Sequence, residues 1–146
     1  MQVLFFNEKH PSLAKKEFED AKVPTLEEII ETFGQSANYY IETNSEESLQ
    51  KIHGLDVNIP LVQLLPYKKA AHLTELEIKK YKTYCIGLGM NYKYIDSAYV
   101  KSIKKNGLEV HPFTVDNETD MKKLILWGVD GMFTNYPDRL HSLLQP

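Results

Sequence analysis

From Pro24 to the end of the chain, short runs of β-branched, aromatic and aliphatic residues alternate with stretches whose apolar positions return every three or four residues. The first pattern predicts strands and the second amphipathic helices. Thr25 and Glu28 are spaced as a capping box, so a helix starts there, and Gly34 ends it. Asn38 to Thr43 reads as a strand that sets Tyr40 and Glu42 on one face and Tyr39 and Ile41 on the other. Ser45 caps a helix running through His53, with Leu49 and Ile52 inward and Gly54 as its stop. Ile59 to Leu65 is apolar except for Gln63, as expected of a strand covered on both faces.

The unit then repeats. Thr74 and Glu77 form a second capping box, and Leu76, Ile78 and Tyr81 give that helix its apolar surface before a strand over Tyr84 to Gly87. A helix from Tyr94 or Ile95 to Lys105 is expected to bury Ala98, Val100 and Ile103, and Gly107 closes it. Leu108 to Val115 is the next strand. Asn117 caps a helix that carries the inward stripe Met121, Leu124 and Ile125 and ends at Trp127, with Gly128 as a left-handed stop. Gly131 to Asn135 is the last strand and Pro137 to Leu144 the last helix. The alternation predicts an α/β fold of about five parallel strands, too few to close an eight-unit barrel of roughly 250 residues. Either the sheet is open or part of a barrel is missing, in a single domain over 1–146 with 1–23 as an irregular lead-in.

Composition narrows the function classes. Seventeen basic against twenty acidic side chains leave a net charge of −3, and 42% hydrophobic residues suffice for one core. The charge balance argues against a nucleic-acid partner, and no long apolar run predicts a membrane span. Cys85 is the single cysteine, which removes an internal disulfide and a Cys-rich zinc site. The opening Met1-Gln2-Val3-Leu4-Phe5-Phe6-Asn7-Glu8 has no basic leader, so no signal peptide is expected and the chain as written reads as cytoplasmic.

Three segments together resemble the glycerophosphodiester phosphodiesterase family, most closely its bacterial secreted branch. They are Val23 to Ile29 with Ala37 to Thr43, then Ile59 to Leu65, and Val110 to Val115 continuing through Trp127 to Asp138. The resemblance implies that the α/β fold is a partial (β/α) TIM-type barrel with about five parallel strands, and it implies metal-dependent hydrolysis of glycerophosphodiesters to glycerol 3-phosphate and an alcohol, by relatives that are often exported. It implies a divalent cation, calcium or magnesium, and a glycerophosphodiester-type small molecule as partner. Glu42 matches a metal ligand of the family and Phe113 an aromatic of its substrate mouth. Gln63 is a candidate for the barrel centre near ligand, against a plainer reading as an interior amide satisfied by neighbouring strands.

The resemblance also exposes gaps. The family's His-Arg-Gly, Pro-Glu-Asn-Thr and His-Asp motifs do not occur in these residues, so both acid-base histidines and two metal carboxylates are missing. Ile41-Glu42-Thr43 runs directly into Asn44-Ser45-Glu46, where family members insert a helix and a strand. The chain therefore reads as truncated at its N-terminus and internally deleted near Asn44. One carboxylate implies weak metal binding, and no catalytic residue is assigned. His111 reads as a hydrogen-bonded packing residue, and Gly87-Leu88-Gly89 as a weak hint of a phosphate cradle. The rival expectation is a non-catalytic binding or assembly module, pairing with itself as a homo-oligomer or with a separate N-terminal half. An open barrel would leave an apolar interior near Val62, Leu64, Ile86 and Phe133.

Overall fold

The computed structural model describes residues 25–33, 40–65 and 73–145. The chain divides between Tyr39 and Tyr40 into two units. The first contains α1 (Leu26–Phe33). Its capping box forms as the spacing requires, with the Thr25 N–H donating to Glu28 Oε2 at 2.7 Å and the Glu28 N–H donating to Thr25 Oγ1 at 3.2 Å. The expected lead-in 1–23 and the start of the expected strand at Asn38 lie outside the described residues.

The second unit runs β1 (Ile41–Thr43), α2 (Glu46–Leu55), β2 (Leu61–Leu64), α3 (Glu75–Tyr81), β3 (Gly87–Asn91), α4 (Ser97–Lys105), β4 (Glu109–Phe113), α5 (Glu118–Trp127) and α6 (Pro137–Leu144). The strands form one parallel sheet in the order β1-β2-β3-β4. Sequential order with right-handed crossovers puts every connecting helix on one face, which is how a (β/α) barrel is wound. That winding leaves the opposite face as the barrel interior.

Register assigns the residues to faces. Glu42, Val62, Gly87 and Glu109 stand in one row, Leu64, Gly89 and His111 in the next, and Asn91 pairs with Phe113. These belong to the interior face. Leu61, Leu88 and Val110 alternate with them toward the helices, where Leu49, Val100, Ile103, Met121 and Leu124 complete a buried core.

Four of the expected strands form a regular ladder, and 131–135 follows β4 without joining it. The Asp130 N–H donates to the Val110 carbonyl at 3.1 Å, the Phe133 N–H to the Pro112 carbonyl at 3.0 Å, and the Val115 N–H to the Phe133 carbonyl at 2.7 Å. A parallel ladder also needs β4 to donate at Val110 and Pro112. Val110 gives its N–H to the Asp130 carboxylate instead, at 3.0 Å, and proline has none to give.

Other boundaries also move. β3 begins at Gly87, where the expected strand ended, because the Tyr84 and Cys85 N–H groups are spent on the Tyr81 carbonyl at 3.2 and 3.0 Å as α3 closes. Gly87-Leu88-Gly89 is thus buried strand, and no phosphate cradle exists there. α2 continues through Gly54 to Leu55. Ala98 and Leu76 face solvent, whereas Tyr99 is buried beside Val100 and Ile103. Of the four residues expected at an open interior, Ile86 is exposed, Val62 and Phe133 are buried, and Leu64 is half-buried. Glycines in β3 account for part of this. A Cβ on Gly89 would overlap the end of Leu64, and one on Gly87 would lie 3.0 Å from Glu109 Cβ. Neighbouring side chains therefore fold over β3 and cover it. Among the described residues no helix is long and apolar enough to cross a membrane.

Candidate functional site

In (β/α) barrels the loops at the carboxyl ends of the strands carry function, so the upper interior face is where a site belongs. Glu42 reaches that face from the middle of β1. Its Oε2 is buried and accepts no hydrogen bond. Loss of water around it pushes the carboxyl from 4.5 up to about 8, so it holds its proton at neutral pH. Phe113 closes β4 on the same face, half-buried, with its ring edge-on to Phe133 at 6.2 Å and 82°.

The structure does not bring Gln63 to this face. Gln63 pairs with Thr43 and Leu88 in register and so points to the helix side, one residue out of phase with the Glu42 row. Its carboxamide is spent locally: Nε2 donates to the carbonyls of Thr43, Asn44 and Leu64 at 3.4, 3.2 and 3.0 Å, and Oε1 accepts the Tyr84 hydroxyl at 2.9 Å. The side chain fastens the turn that leaves β1.

His111 lies below Phe113 on the interior face. Its Nε2 sits 2.9 Å from Glu109 Oε2, its ring meets Tyr40 edge-on at 5.2 Å, and a Cβ on Gly131 would press on it at 3.2 Å. Burial, and then the charges of Glu109, Asp130 and Glu42, raise the Tyr40 phenol above its ordinary value. His111 is thus held by packing and one carboxylate.

Two features were missed by sequence reasoning. Asn91, the last residue of β3, is buried on the interior face, and its Nδ2 has no acceptor. The period-two series Gly87, Gly89, Asn91 could have flagged it. Asp116, in the loop between β4 and α5, receives the Asn135 N–H at 2.9 Å, the Asn135 Nδ2 at 2.9 Å and the Thr134 hydroxyl at 3.3 Å. Those bonds, the Asn135 N–H foremost, hold its carboxyl below the ordinary range and tie the upper end of 131–135 to the loop that follows β4. A shallow polar hollow beside it is lined by Asp116, Asn117, Glu118, Thr119, Tyr136 and Arg139, and neither Glu42 nor Phe113 reaches it.

A divalent cation fits this arrangement only in part. The orphaned Oε2 of Glu42 suits a cation, yet one carboxylate supplies at most two of the about six to eight oxygens that calcium takes. Among the described residues, no group of three or more His, Cys, Asp or Glu side chains could hold a metal ion. The described residues do not make a complete metal centre.

Comparison with known proteins adds the lineage. The profile of the Glycerophosphoryl diester phosphodiesterase family matches residues 6–139. A glycerophosphodiester phosphodiesterase of Bacillus subtilis is 39% identical over 175 aligned positions, covering 95% of this chain and 60% of the relative. Those 175 positions outnumber the 146 residues of the chain, so the relative carries residues inside the match that this chain lacks. An Oleispira antarctica phosphodiesterase, solved with its product sn-glycerol-3-phosphate, superposes with a TM-score of 0.67 at 21% identity, over 80% of this chain and 47% of that one. A glycerophosphodiester phosphodiesterase from Parabacteroides distasonis gives a TM-score of 0.61 at 23% identity, over 80% and 49%. The chain thus spans about half of these solved relatives, and the likeness carries the fold.

Proposed function

Because the chain belongs to the glycerophosphoryl diester phosphodiesterase family, we propose that it is a partial barrel of that family, over 1–146, which keeps part of the ligand-facing surface and has lost hydrolysis. The observation that carries this reading is Glu42, a half-buried interior residue whose Oε2 is buried without a partner and beside which no metal-binding cluster exists among the described residues. Glu42 is a single remaining cation ligand, and Phe113 borders the ligand. Gln63 acts at one remove, by fixing the Thr43 and Asn44 carbonyls behind Glu42.

The full reaction adds water across the phosphodiester, breaks the bond to the alcohol, and leaves glycerol 3-phosphate. It needs a general acid and a base, each worth about 10²- to 10⁴-fold. The chain contains neither a His-Arg-Gly nor a His-Asp motif. Pure chain should therefore release no glycerol 3-phosphate from glycerophosphocholine, with or without calcium or magnesium. Metal-dependent release that disappears in Glu42→Gln would falsify the reading.

A second reading, assembly with another copy or with a separate piece carrying the missing strands, is favoured by β1, which is a sheet edge among the described residues. Light scattering on dilute protein tests it. Self-association is expected, and a cooperative monomer that binds no hydrophobic dye would contradict it.

A further inference from the structure

Asn91 occupies the carboxyl end of β3, on the interior face and directly across the ladder from Phe113. It is 4% exposed. Its two carboxamide atoms are not equivalent in use. The Oδ1 accepts the Lys93 N–H at 3.1 Å and so caps the single turn Tyr92–Tyr94 that follows the strand. That bond decides the orientation of the amide, because only the oxygen can accept it. The nitrogen is thereby turned away with both hydrogens, and Nδ2 is buried with no acceptor.

A buried amide nitrogen left unpaired costs about 1–3 kcal/mol, which selection removes unless the group has a use. Nothing in the local structure needs a donor there, since an aspartate or serine would cap the turn equally well. We propose that Asn91 is a substrate-positioning residue whose Nδ2 donates to a phosphoryl oxygen of a phosphate monoester or diester lying against Phe113. Donor-only geometry selects the phosphoryl group over a hydroxyl. A phosphoryl oxygen only accepts, while a hydroxyl brings a hydrogen that needs an acceptor in return, and Oδ1 is already engaged. The inference rests on the reading of the chain as a ligand-facing remnant of its family, and it assigns a residue to the phosphoryl side of that ligand.

Uniformly ¹⁵N-labelled chain titrated with sn-glycerol 3-phosphate, inorganic phosphate and glycerol tests it. The Asn91 side-chain NH₂ signal should move saturably with the first two probes and stay still with glycerol. Asn91→Asp keeps the acceptor for Lys93 and exchanges the donor for an anion, so it should weaken phosphate binding by about tenfold or more. Asn91→Ser keeps the cap without adding charge and should weaken it by a smaller factor. Phosphate that perturbs other signals while leaving Asn91 unmoved, or that binds Asn91→Asp as well as the parent, overturns the assignment and leaves the family reading standing. A response to glycerol alone overturns the phosphoryl choice. No response to any probe overturns both the assignment and the ligand-facing reading.

Discussion

The Asp130 carboxylate accepts the Val110 backbone N–H at 3.0 Å and so takes the place of a strand carbonyl on the outer side of β4. Its other oxygen receives Lys104 Nζ at 2.6 Å, and the same ammonium donates to the Gly128 carbonyl at 2.6 Å. One side chain therefore joins the end of α4, the end of α5 and the start of the 131–135 segment. Asp130→Ala strands the Val110 amide and should cost about 1–3 kcal/mol. Lys104→Met removes only a partly exposed partner and should cost under about 1 kcal/mol. Urea denaturation of both variants checks the order, and equal losses would contradict the role given to Val110.

Two helix glycines should respond in opposite senses to the same change. Gly128 holds φ at 81° as the left-handed cap of α5, so Gly128→Ala should destabilise by about 1–2 kcal/mol. Gly54 lies inside α2 with open space where a Cβ would go, and Gly54→Ala should stabilise by about 0.4–1 kcal/mol. Thermal melts of the two variants, read against the parent, show the sign directly.

Stability should also depend on pH through Glu42. Its carboxyl titrates at about 8 in the folded chain against 4.5 unperturbed, so between those values the folded state keeps a proton that the unfolded state releases. Its contribution is full below about pH 4.5 and is lost as pH rises through 8. Glu42→Gln preserves the shape without the charge. It should flatten the fall in melting temperature across that window and stabilise the chain by about 1–3 kcal/mol at its upper end. An unchanged slope in the variant would place the titration elsewhere.

Features set by near neighbours in the chain were legible in the sequence. The capping boxes at Thr25 and Thr74, the Ser45 and Asn117 caps and the left-handed stop at Gly128 each depend on residues within one turn. The place of β3 was not legible, because Gly87-Leu88-Gly89 has a poor strand composition and is held as strand by pairing with β2 and β4 on either side. The fifth strand failed for a long-range reason, the Asp130 carboxylate arriving at Val110 beside a proline that cannot donate. Within the site, Glu42 and Phe113 were legible through the family resemblance, and strand phase in the observed register sets them on one face. The same phase argument, carried across β2 in register, would have turned Gln63 away from them. Asn91 stayed hidden because its unpaired nitrogen follows from where its oxygen is spent.

Calcium titration by calorimetry shows whether the metal centre at Glu42 is incomplete. No saturable site tighter than about 10⁻⁴ M is expected, in the parent or in Glu42→Gln. A micromolar site present in the parent and lost in Glu42→Gln would contradict that expectation.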